Sequence, residues 1–92
     1  MRTKVSESYI EKRVCAHAKC RGWLVYKFQS PAQRGVPDRI FLKNGCVKFV
    51  EFKASGKRPT KQQIATHDRI KAEKFQVFVI DDIEKGKVLF ND

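Results

Sequence analysis

The stretch that most limits what this chain can fold into is residues 35–53, GVPDRIFLKNGCVKFVEFK. Asn44-Gly45 is the dipeptide favoured where both central residues of a two-residue hairpin loop need positive φ. Ile40-Phe41-Leu42 precedes it and Val47 to Phe52 follows it, so the segment predicts strand, tight turn, strand. Side chains on a strand repeat every two residues. Val47, Phe49, Glu51 and Lys53 therefore share one face, and Lys48, Val50 and Phe52 the other. Glu51 and Lys53 sit at the end of an apolar row, where a charge is costly unless something pairs with it. Asp38 is thirteen residues back in sequence, and the hairpin returns its strand beside that of Glu51. A divalent cation held by Asp38 and Glu51 would supply the pairing.

The distribution of charge supports this. The net charge is +10, with 20 Lys and Arg against 10 Asp and Glu, which predicts attraction to polyanions. Between residues 12 and 67 there are thirteen basic residues and only two acids, Asp38 and Glu51. A surface that approaches phosphates should lack carboxylates except where a metal ion neutralises them. The length of 92 residues suits one small domain with a modest core, for which association with a second copy is plausible. The three cysteines, Cys15, Cys20 and Cys46, are odd in number and lack zinc-site spacing. They read as reduced, partly buried thiols of a cytosolic protein. The polar start is unlike a signal peptide, and no apolar run approaches the length of a membrane span.

Along the chain, residues 1–5 read as a frayed start. A first helix should open at Ser6 or Ser8, the latter in the capping-box pattern Ser8-x-x-Glu11, and run to about Arg21 before Gly22. Ile10, Val14, Ala18 and Cys15 mark its apolar stripe. Residues 23–28 read as a first strand and 29–37 as a loop, with Gly35 and Pro37 shaping the approach to Asp38. A basic loop follows the hairpin. Thr60-x-x-Gln63 is a second capping box and should start a helix reaching about Lys74, with Ile64, Ala65, Ile70 and Ala72 as a thin apolar face. Residues 76–81 read as a central strand, 82–86 as a turn and 87–90 as a short edge strand. The expected fold is a single α/β domain of αβββαββ order, with a mixed central sheet flanked by helices.

Two carboxylates, a backbone carbonyl and waters suit Mg²⁺ or Mn²⁺. Such an ion activates water and stabilises charge on a scissile phosphate. Lys53 beside it can orient or help deprotonate the attacking water, or stabilise the transition state electrostatically. Pro37-Asp38 followed by Glu51-Phe52-Lys53 resembles the signature of the PD-(D/E)XK nuclease superfamily. The wider set, Arg34 to Arg39, Phe49 to Lys53 and then Gln63 opening a helix, resembles the VRR-NUC (virus-type replication-repair nuclease) branch. That resemblance covers nearly the whole chain. It implies a restriction-endonuclease-like core and metal-dependent cleavage of DNA, by a homodimer similar to Holliday-junction resolvases. Phages and mobile elements commonly carry such proteins, so a bacterial cytoplasm is the implied setting.

By the same resemblance Asp38 and Glu51 ligate the metal together with the Phe52 backbone carbonyl, and Lys53 serves the water. Gln63 supports the site or the phosphate, unless it is only the capping residue. Glu11 contributes to the metal site, in part through water, unless it is only an N3 cap or a surface charge, and Glu7 is the weaker candidate for that role. The family usually has a Gly before the fourth strand, where this chain has Lys74-Phe75. Arg34, Lys57, Arg58 and Lys61 are candidate DNA contacts, the last three lying near a helix N-terminus. His17 and His67 show no ligand partners in sequence and read as surface or core histidines. The rival readings are a non-catalytic basic DNA-binding module with the same fold, and a restriction-type enzyme, whose base readout so short a chain barely accommodates.

Overall fold

The computed structural model describes residues 4–92, and its helices begin where capping side chains put them. Helix α1 spans Glu7–Cys20, and Ser6 is its cap: the Ser6 hydroxyl accepts from the Tyr9 backbone N–H at 3.2 Å. The helix ends at Gly22, whose φ of +92° is costly for a residue with a Cβ. Of the expected frayed start, residues 1–3 lie outside the described residues. Val5 is tied down, because its N–H donates to Ser55 Oγ and its carbonyl accepts from the Ser55 N–H, both at 3.1 Å.

Strand β1 (Leu24–Lys27) pairs antiparallel with β2 (Arg39–Lys43), and β2 with β3 (Cys46–Phe52). Asn44 and Gly45 close that hairpin with φ of 48° and 78°, as a type I′ loop requires. Helix α2 (Lys61–Ala72) then crosses over, and β4 (Gln76–Ile80) returns parallel to β3. The sheet order is β1-β2-β3-β4, and it is mixed, as expected. The turn into β4 holds Lys74 at φ 73°, a left-handed conformation that favours glycine.

The end of the chain departs from expectation. Instead of a turn and a fifth strand at 87–90, residues Ile83–Val88 form helix α3, so the observed order is αβββαβα. Asp82 caps it by accepting from the Lys85 N–H at 2.9 Å. The apolar run Val88-Leu89-Phe90 lies at a helix end that delivers Phe90 to the core. Phe90 is fully buried, stacked on Phe41 at 4.3 Å and edge-on to Trp23 at 5.3 Å. Its carbonyl accepts from Trp23 Nε1–H at 3.1 Å.

The core lies between one sheet face and helices α1 and α3. It contains Ile10, Val14, Ala18, Trp23, Phe41, Val50, Phe52, Ile80 and Phe90. The opposite face carries Glu51, and α2 lies over it. The expectation for α2 fails in one respect. Ile64, Ala65 and Ala72 are exposed, while Thr66 and His67 are buried and Gln63 and Ile70 are half-buried. The helix therefore presents the stripe Gln63, Thr66, His67 and Ile70 to the sheet, at helical spacing but mostly polar. A helix can seat itself without an apolar face if polar partners wait beneath it, and here they do.

Candidate active site

The hairpin register decides where the carboxylates go. Arg39 pairs with Val50, so one further step along the strands sets Asp38 opposite Glu51. Asp38 is half-buried, and its Oδ2 accepts from the Phe52 N–H at 2.7 Å, which fixes the carboxylate against β3. Glu51 is 3% exposed. Its Oε2 accepts from Gln63 Nε2–H at 3.0 Å and stands 3.7 Å from Lys53 Nζ. Its Oε1 is buried with no hydrogen-bond partner among the described residues. Asp38, Glu51, Lys53 and Gln63 thus come together, as the sequence suggests.

The electrostatics are those of an under-compensated pair. Burial first, and the charge of Asp38 second, push the Glu51 carboxyl up from 4.5 to about 7, against the pull of Lys53. Burial also raises Asp38, opposed by its hydrogen bond from Phe52. A cation between the two would relieve both. Mg²⁺ is commonly held by one or two carboxylates with retained water, so this donor set fits such an ion. Among the described residues no group of three or more His, Cys, Asp and Glu side chains gathers into a fuller metal cage.

The acids of α1 divide. Glu11 Oε2 accepts from Arg39 Nε–H at 2.6 Å, so that carboxylate is engaged by a guanidinium, although its charge still reaches Asp38. Glu7 has the raised carboxyl, by desolvation first and Asp38 second. Because Glu7 is largely exposed, the Asp38 effect is the informative one, and Glu7 in turn raises Glu51. Gln63 makes both the capping contact and a contact to Glu51. Its Oε1 accepts from the Thr60 N–H at 2.9 Å in the capping box while its Nε2 holds Glu51.

The loop that delivers Asp38 is pinned to α2. Thr66 Oγ1 donates to the Arg34 carbonyl at 2.8 Å. Gly35, at φ +83°, packs so close that a Cβ there would meet the Gln62 carbonyl oxygen at 2.8 Å and Thr66 Oγ1 at 2.9 Å. One helix therefore sets both carboxylates, Glu51 through Gln63 and Asp38 through the clamped loop. Sequence reasoning missed His67, whose Nε2 lies 3.7 Å from Glu51 Oε1. The available signal was its position one turn after Gln63, on the same helix face.

The candidate DNA contacts are solvent-facing. Arg34, Lys57, Arg58 and Lys61 are all exposed, and the first turn of α2 contains no acid. An open depression of about 310 Å³ beside Asp38 is lined by Lys27, Gln29 and Arg39 among others. A larger one, about 630 Å³, lies between the 28–36 segment and α2 and includes neither carboxylate. No helix among the described residues is long and apolar enough to cross a membrane. Cys15, Cys20 and Cys46 are all free, with Cys20 exposed rather than partly buried.

No family model matches the sequence. The chain is 42% identical over 86 residues to "Putative nuclease p44" of Acyrthosiphon pisum secondary endosymbiont phage 1, spanning 92% of each protein. It is also similar to a solved structure described as a VRR_NUC domain, with a TM-score of 0.85 and 26% identity, over 92% of this chain and 95% of that one.

Proposed function

Because this chain belongs to the VRR-NUC family of nucleases, we propose that it is a metal-dependent endonuclease acting on branched DNA as a homodimer. The observation that carries the catalytic part is the opposed Asp38–Glu51 pair, with a buried, unpartnered Glu51 oxygen and Lys53 on the same carboxylate. Asp38 and Glu51, with the Phe52 carbonyl, are the proposed donors to the ion. Bound there, Mg²⁺ or Mn²⁺ supplies an activated water and charge neutralisation at the phosphate. Lys53 presents a fixed cation beside that position, where it can orient the water and oppose charge developing on the phosphate. Gln63 keeps Glu51 turned toward the ion. Glu7 and Glu11 are the proposed outer acids, reaching the site through water. Arg34, Lys57, Arg58 and Lys61 are the proposed phosphate contacts.

The homodimer reading has support in the sheet. Leu24 and Tyr26 are each 56% exposed and share a face with Ile40, Leu42 and Val47 beyond the reach of α2. A second copy would cover that surface and set two sites on one branched substrate. The proposed setting is the cytoplasm of a bacterial host.

Purified protein with Mn²⁺ should nick four-way junction DNA, while Glu51→Ala and Lys53→Ala should bind the junction without cutting it. A wild type that binds and never cleaves, with any divalent ion, would establish the non-catalytic module instead. Cleavage of linear duplex at one defined sequence would favour the restriction-type reading. Sedimentation of the free protein reports the dimer.

A further inference from the structure

His67 is sealed into the site, yet the proposed chemistry gives it no part. It is 3% exposed, and its Nε2 has no hydrogen-bond partner among the described residues. The carboxylate atom it faces at 3.7 Å is Glu51 Oε1, buried and unpartnered as well. Buried polar atoms without partners are rare in native folds and call for a reason. Here each atom can satisfy the other. A closure of about 0.7 Å brings the pair to ordinary N–H···O distance.

We propose that His67 is a positioning residue for Glu51: its Nε2–H donates to Oε1 while Gln63 holds Oε2, so that the carboxylate's remaining lone pairs face a divalent ion shared with Asp38. Gln63 and His67 are four residues apart on α2, hence one above the other on one face. The capping box at Thr60 fixes where that helix starts, and Thr66 ties it to the Asp38 loop. The clamp is therefore built on a constrained segment, which is what lets an outer partner control a ligand's orientation. Removal of such outer partners typically weakens metal binding about 10–100-fold. The proposal rests on the reading of Asp38 and Glu51 as the metal site.

The test is Mn²⁺ affinity of the full chain without DNA, from the paramagnetic resonance of the free ion. His67→Phe fills the volume and removes the donor, whereas His67→Gln restores an N–H. H67F should bind Mn²⁺ about 10–100-fold more weakly and H67Q should recover most of the loss. Excess Mn²⁺ should then restore nicking to H67F and not to Glu51→Ala. Circular dichroism and a thermal melt check the fold, with His67→Met replacing H67F if the ring disrupts packing. Wild-type affinity in a folded H67F, or H67Q as weak as H67F, would overturn the proposal. Glu51→Ala separates it from the parent reading: if E51A binds Mn²⁺ like wild type, the metal site itself is wrong. If E51A loses the ion and H67F keeps it, only the role of His67 falls.

Discussion

Glu51→Gln in the metal-free protein probes the electrostatics of the site directly. Glu51 is lifted from 4.5 to about 7 by burial and by Asp38. The folded state then holds this proton more tightly than the unfolded chain does. Its contribution to stability is therefore complete below the unfolded value and lost as pH rises through the folded one. At about 1.4 kcal/mol per tenfold difference in proton affinity, the loss is about 3 kcal/mol by about pH 8, and under about 1 kcal/mol at about pH 5. With Glu51 only 3% exposed, solvent screening does little to reduce this. Asp38, also raised by burial, acts in the same direction. His67, lowered by burial, acts in the opposite one, since its contribution is lost as pH falls below 6.5 and the buried ring must charge. Both groups remain in the variant, so the difference between wild type and E51Q reports Glu51 together with its coupling to them. Urea unfolding in EDTA can be followed by the fluorescence of buried Trp23. E51Q should be the more stable protein at about pH 8 by about 2–3 kcal/mol, with the gap closing toward acid. Saturating Mn²⁺ should stabilise wild type at that pH and leave E51Q unchanged. A gap that is flat across pH, or that opens toward acid, would refute the reasoning.

Gly35→Ala should destabilise by about 1–3 kcal/mol and depress nicking, because the added carbon meets the Gln62 carbonyl at 2.8 Å and φ is +83°; urea unfolding and a nicking assay read the two effects. Lys74→Gly should raise the thermal midpoint by a few degrees, since it removes about 1 kcal/mol of left-handed strain at φ 73°, offset in part by the greater freedom of glycine in the unfolded chain. Replacing Lys57, Arg58 and Lys61 together by Ala should lower the slope of log affinity against log salt by about 0.9 for each duplex phosphate that the variant no longer neutralises. Titrations at several salt concentrations read that slope, and one equal to wild type would remove these residues from the DNA surface.

Much of the frame was legible because local rules and global packing agreed. Asn44-Gly45 forced the hairpin, the hairpin forced the register, and the register brought Asp38 opposite Glu51. Thr60 and Gln63 marked the start of α2 for the same local reason. The reading failed where a short segment had two packings open to it. Residues 87–90 carry the apolar run Val88-Leu89-Phe90, which suits a short strand and a helix end alike, and in the fold the end of α3 sets Phe90 against Trp23 and Phe41. Gly86 belongs to that packing too, since a Cβ there would lie 2.7 Å from Val14 Cγ2. His67 was passed over for a different cause. Its place one turn after Gln63 was the one signal, and that signal gains meaning only once Glu51 is known to lie beneath the same helix face.

The choice of polar residues for the buried stripe of α2 joins stability to chemistry in this chain. A domain of this size has apolar side chains enough for one well-filled interface, and α1 with α3 takes it. Helix α2 is left to dock through Gln63 on Glu51, Thr66 on the Arg34 carbonyl and His67 against Glu51, while Ile64 is turned out at 47% exposure. Those contacts stabilise the helix only if the carboxylates are where they are, and the carboxylates stay there only if the helix is docked. An apolar stripe would hold α2 more firmly, yet it would leave Glu51 buried with only Lys53, 3.7 Å away, to offset its charge, a loss that works against the gain in packing. The weak seating of α2 therefore follows from the acid it covers, and the acid's buried position follows from α2.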